Sequence, residues 1–132
     1  MNWYKKSQLN EFSHQDKENM FGDNKVNVHT ISIPSGNIRI LENSPWADNR
    51  NSVVEFVVNE DQRGQGIGKN LVNELLNHYR GKKLSAQVSS MASLSIFYKV
   101  GFRPISNISA TYEETVNMFK ENWGSLMLVK DN

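Results

Sequence analysis

Three alternating glycines, Gly64, Gly66 and Gly68, stand in Glu60-Asp-Gln-Arg-Gly-Gln-Gly-Ile-Gly-Lys69 between a run of β-formers and an amphipathic stretch. Val53 to Val58 reads as a strand, and Ile67, Leu71, Val72, Leu75, Leu76 and Tyr79 share one stripe at helical spacing. Strand, glycine turn and helix aim several unbonded backbone N–H groups at one spot. The helix dipole and those N–H groups together favour an anion, above all a phosphate. Glycine lets a diphosphate approach bare backbone where a Cβ would block it. The residues offered for this cradle are Arg63, Gly64, Gln65, Gly66, Ile67, Gly68 and Lys69.

Two other phosphate loops fit poorly. A Walker loop needs GxxxxGK[ST]; Gly64 to Lys69 is one residue too short, and Asn70 replaces the magnesium-binding hydroxyl. A dinucleotide fingerprint needs GxGxxG and an acid about twenty positions on. Here the spacing is GxGxG, and Ala86 to Ser90 holds no acid. An ATP-using enzyme is therefore disfavoured.

Arg63-Gly64-Gln65-Gly66-Ile67-Gly68 matches every defined position of [QR]-x-x-G-x-[GA]. Downstream, Phe97-Tyr98-Lys99-Val100-Gly101-Phe102 fits an apolar-Tyr-x-x-x-Gly-Phe pattern apart from one missing spacer. With these two motifs, in order over roughly residues 53 to 104, the chain resembles the GNAT family of N-acetyltransferases. The resemblance implies an α/β fold, a mixed and mainly antiparallel sheet flanked by helices, in one acyl-CoA N-acyltransferase domain over residues 1–132. It implies acetyl-CoA as cosubstrate, no metal, and acetyl transfer to the primary amine of a small molecule or peptide. The alternative is a non-catalytic member that binds acyl-CoA or a protein partner.

The same resemblance assigns roles. Backbone groups of residues 63 to 69 hold the pyrophosphate, and those of Val57, Val58 and Asn59 pair with the pantetheine arm, a Val58 N–H serving as oxyanion donor. Ser90 caps the second motif's helix and contacts a pantetheine amide, although many family members carry Asn there. Tyr98 occupies the place of the general acid that reprotonates the thiolate; a phenol near pKa 10 and a thiol near 8.5 make that transfer feasible. Its alternative role is a core aromatic beside Phe97 and Val100.

Glu55 interrupts an otherwise apolar strand, and burying a carboxylate raises its pKa toward what a base needs near neutrality. Alternatively it faces solvent or pairs with Arg39. Glu42 and His29 are the next candidates for the base, each through a water chain. Trp46, Asp48 and Glu42 are placed to read a cationic acceptor, or else form an ordinary polar loop with one packed tryptophan. The absence of cysteine excludes a cysteinyl thioester, so transfer should be direct, in a ternary complex. No G-x-S-x-G elbow is present, and His14, His29 and His78 lack metal-like spacing.

At 132 residues and net charge +1, the chain is sized for one core and carries no nucleic-acid arm. No apolar run suits a membrane and no leader is expected, so the reading is a cytoplasmic protein, with homodimerisation left open. The expected elements are a helix over 2–13, polar loop over 14–25, and a hairpin of strands 26–33 and 38–41. After these come a strand at 52–58, a helix at 65–80 closed by Gly81, and a strand at 83–88. A helix at 90–100, a strand at 103–108, a helix at 111–121 led by the Thr111-x-x-Glu114 capping box, and a strand at 126–129 complete the order.

Overall fold

The computed structural model describes residues 12–21, 24–62 and 64–132. Strands β1 (Phe12–Phe21), β2 (Asn24–Ile33), β3 (Gly36–Ser44) and β4 (Arg50–Val58) come first. They are followed by α1 (Ile67–His78), β5 (Lys83–Val88), α2 (Met91–Lys99), β6 (Arg103–Pro104), α3 (Tyr112–Glu121) and β7 (Leu126–Asp131). The sheet runs β1-β2-β3-β4-β5-β7-β6, and β4–β5 is its parallel pair while the other pairings are antiparallel. This is the mixed, mainly antiparallel sheet expected from the sequence.

The helices share one face of that sheet. Leu71, Val72 and Leu75 of α1, Leu94 and Phe97 of α2, and Phe119 of α3 join Ile38, Ile40, Ala86, Val88, Leu126 and Leu128 in one buried cluster. Each fully buried large aliphatic contributes about 1.5–3 kcal/mol, so the α1 stripe alone ties that helix firmly to the strands. No helix among the described residues is long and apolar enough to cross a membrane.

Two expectations are corrected. The stretch expected as polar loop over 14–25 is strand at 14–21 and again from 24: Phe12 to Glu18 pairs in register with Ser32 back to Val26. An edge strand is held by its backbone ladder and is commonly polar, so the alternation used to detect strands is missing there. At the other end, only Arg103–Pro104 of the expected 103–108 strand pairs with β7. Pro104 has no N–H to extend the ladder, and the chain turns at once, with Asn107 N–H donating to the Pro104 carbonyl at 3.0 Å. Of the helix expected over 2–13, residues 2–11 lie outside the described residues, and Phe12 and Ser13 begin β1.

Candidate active site

Between β4 and β5 only Asn51↔Leu84, Ser52↔Ser85 and Val53↔Ala86 pair. Beyond them the strands part. The cause lies in β4, where Ile40 pairs with Val53 but the preceding Arg39 pairs with Glu55, leaving Val54 as an extra residue. Such a bulge bends its strand and raises the local twist. The resulting fork is a cleft of about 910 Å³. Its walls are Ser52 to Phe56 and Val58 from β4, Ala86 to Val88 of β5 with Ser89 and Ser90 after it, and Ala92, Ser93, Ile96 and Phe97 of α2, with Gly64 and Gly66 to Lys69 at one end.

That end is an open helix terminus. Gly66 is the N-cap of α1 with φ 78°, in the left-handed region, and makes no side-chain cap. The contrast with the other helices is informative. Ser90 and Ser93 form a reciprocal capping box on α2, as do Thr111 and Glu114 on α3. No side chain among the described residues caps the first turn of α1, and Ile67, Gly68 and Lys69 of that turn line the fork. Gly68 serves packing: a Cβ there would stand 3.1 Å from Phe56 Cζ and 3.0 Å from Ile96 Cδ1. Gly64 has φ 81° and open space around it.

Among the expected cradle residues, Gly64, Gly66, Ile67, Gly68 and Lys69 line the cleft, whereas Gln65 is exposed outside that lining. Arg63 lies outside the described residues. Of the pantetheine-pairing trio, Val58 lines the cleft and the other two do not. The Val57 carbonyl packs against Gly36 of β3. By strand alternation Phe56 and Val58 then turn their N–H and C=O toward the fork. Asn59 is tied to the β2–β3 turn, its N–H donating to Ser35 O at 2.7 Å and its carboxamide to Pro34 O at 3.3 Å. The backbone pair facing the fork is thus Phe56 and Val58 in place of Val57 and Asn59. The signal missed was the bulge at Val54, which is a property of pairing and leaves no residue signature.

Ser90 does line the cleft, with its hydroxyl accepting from Ser93 N–H at 3.1 Å. Glu55 also lines it, but the burial argued from its apolar neighbours does not hold. Phe56 packs toward the helices, so Glu55 points to the opposite face. There its side chain is 42% exposed and lies 3.8 Å from the Arg39 guanidinium.

Tyr98 is not a cleft residue. Its hydroxyl donates to Ala110 O at 3.0 Å, Arg103 stacks on its ring at 3.6 Å, and Tyr112 meets it edge-on. Phe97, one position earlier, is the α2 aromatic that lines the fork. A one-residue offset on a helix rotates a side chain by about 100°.

Glu42 and His29 stand away from the fork, at the far end of α1. Both bond the hydroxyl of Tyr79, which donates to Glu42 Oε2 at 2.8 Å and lies 2.8 Å from His29 Nδ1. Burial, and then the hydrogen bond to Glu42, push the Tyr79 phenol well above its ordinary range. Trp46 and Asp48 occupy the β3–β4 connection, and Arg50 to Val54 of β4 lie between that connection and Glu55, roughly 17 Å of strand. They are not part of this site. No metal-holding group of three ligands occurs among the described residues.

A family model described as acetyltransferase (GNAT) domain matches residues 3–120. The chain belongs to the GNAT family. No curated protein matches it in sequence. Among solved structures it is similar to an IAA acetyltransferase from Bacillus cereus, at 22% identity and TM-score 0.55, over 81% of this chain and 78% of that one. It is similar also to a putative GNAT-family acetyltransferase from Bordetella pertussis, at 18% identity and TM-score 0.53, over 80% of this chain and 65% of that one. A third is Arabidopsis thaliana Naa50 in complex with the bisubstrate analogue CoA-Ac-MVNAL, at 19% identity and TM-score 0.52, over 80% and 72%. At these identities the likeness is one of fold.

Proposed function

We propose that this chain is an acetyl-CoA-dependent N-acetyltransferase that acylates a primary amine by direct attack in a ternary complex. The observation that carries the reading is the uncapped N-terminus of α1 opening into the β4–β5 fork. N–H groups of Ile67, Gly68 and Lys69 would hold the pyrophosphate there. Phe56 and Val58 would supply the missing ladder partners for the amide-bearing arm, and apolar Phe97, Ile96 and Val88 would enclose the acyl end.

The acceptor nitrogen forms its bond to the acyl carbon as the carbon–sulfur bond breaks. Glu55, the carboxylate in the cleft wall, takes the amine proton directly or through water. A Val58 N–H turned into the fork would stabilise the oxyanion. Tyr98 has its proton committed to Ala110, so the departing thiolate draws a proton from solvent. A non-catalytic acyl-CoA-binding module is the second reading, and the displaced Tyr98 is what favours it.

The test is calorimetry with acetyl-CoA on the wild type and on Gly66→Val, followed by a turnover screen over amines and short peptides. Micromolar-range binding that falls at least about a hundredfold in the variant supports the cradle, since φ 78° and a close phosphate both exclude a branched side chain. Equal affinity in the two proteins overturns it. Binding without turnover of any acceptor selects the second reading.

A further inference from the structure

Trp123 stands in the turn between α3 and β7 with 96% of its surface exposed and φ 60°. The other described non-glycine residues with left-handed backbone are Asn43, Asp48 and Asn49, types that tolerate the conformation. A bulky tryptophan does not, and solvent is a poor environment for an indole. Both disadvantages persist because the turn around it is fixed. Gly124 N–H donates to Phe119 O at 2.9 Å, and Asn122 Nδ2 donates to Ser125 O at 2.7 Å. That Gly124–Phe119 bond is the closing bond of a left-handed helix C-cap with Trp123 just past the cap, which accounts for the backbone angle; the bare indole is what the fold leaves without a packing role.

The turn is fastened to the cleft. Gln87, a cleft-lining residue, donates from Nε2 to Ser125 Oγ at 2.6 Å, and Val88, also lining, pairs with Leu126. Gly124 alone separates Trp123 from Ser125, so their Cα atoms are at most about 7 Å apart. Gln87 alternates with the core residues Ala86 and Val88 and so projects from the face opposite the helices. Glu55 projects from that same face across the fork. The lip on that side thus runs from a carboxylate, through the carboxamide of Gln87, to an unpacked indole.

We propose that Trp123 is an acceptor-recognition residue, and that the acceptor is a primary amine carried on a flat aromatic body. The ammonium end meets Glu55 and the ring stacks on the Trp123 indole. This rests on the acetyltransferase reading of the cleft and names the substrate class for it. An aromatic partner gives a solvent-exposed indole its strongest neutral contact, and edge or offset stacking adds to the apolar area covered.

The probes are 2-phenylethylamine, n-butylamine and 1,4-diaminobutane, titrated into full-length protein saturated with CoA. The indole N–H resonance of Trp123 is followed, identified by its loss in Trp123→Ala. The expected result is a saturable shift with 2-phenylethylamine and little with the two aliphatic amines. In turnover with acetyl-CoA, Trp123→Ala should lower kcat/KM for 2-phenylethylamine about tenfold and for n-butylamine less than twofold. No shift with the aromatic amine overturns the proposal, as does an equal shift with 1,4-diaminobutane, which would mark a cation site. A uniform fall in kcat/KM for both amines overturns it too. Calorimetry with acetyl-CoA alone reads the cleft separately: silence there, with the Trp123 shift intact, removes the cofactor assignment and leaves the aromatic contact standing.

Discussion

Tyr98 donates its phenolic proton to the Ala110 carbonyl, 3.0 Å away, and so braces α2 against the loop that leads into α3. The neighbouring Phe97, and not Tyr98, lines the cleft wall. Removing the Tyr98 hydroxyl should therefore affect folding more than chemistry. Tyr98→Phe should keep kcat within about threefold and lower stability by about 0.5–1.5 kcal/mol, the worth of one hydrogen bond. Steady-state kinetics beside a denaturant melt separates the two effects, and a loss of a hundredfold in kcat would restore Tyr98 as the acid.

Glu55 carries the opposite expectation. Its partner Arg39 is 3.8 Å away and both side chains are substantially exposed, so the pair contributes at most about 1 kcal/mol to stability. Glu55→Gln should leave the melting midpoint and acetyl-CoA affinity nearly unchanged while kcat/KM falls about a hundredfold or more. The rise of rate with pH should flatten in the same variant. An unaltered profile would move the base elsewhere.

At alkaline pH the fold should lose stability through Tyr79. Burial and the bond to Glu42 raise its phenol above the unfolded value of about 10. A group raised in the folded state contributes fully below its unfolded pKa, and the contribution fades as pH climbs beyond it. Denaturant midpoints taken from pH 8 to 11 should fall more steeply above about pH 10 in the wild type than in Tyr79→Phe. Parallel curves would refute the assignment.

Acid should act through Asp131, whose carboxyl is held below the usual range by the 2.7 Å hydrogen bond from Arg50. A depressed carboxyl contributes above its unfolded pKa near 4 and loses that contribution as pH drops further. Asp131→Asn should therefore be less sensitive to acid between about pH 4 and 2 than the wild type. Equal acid sensitivity in melts of the two proteins would count against it.

Periodicity made the core side of this chain readable. The Ile67–Tyr79 stripe placed α1 to within two residues at either end, and the alternation of Leu84, Ala86 and Val88 matched β5 at both boundaries. The glycine loop likewise marked the helix end without a side-chain cap, because a left-handed N-cap shows itself as a missing side chain. What failed was whatever depends on a partner strand or on rotation. β1 is polar and exists through its ladder to β2, while the Val54 bulge exists only against β3. The tyrosine motif was right in composition and one residue short, and on a helix that deficit is an angular one, which carries the hydroxyl off the cleft. Glu55 does line the cleft, but its environment was misjudged because alternation hides which face of a strand is covered.

Three residue pairs between β4 and β5 are all the ladder that joins the four-strand portion of this sheet to the three-strand portion. A seam so short makes the molecule two clamshell halves, cemented mainly by the side chains of α1 and α2 across it. A ligand seated in the gap would then double as mortar, and the protein should breathe along that line before it melts anywhere else.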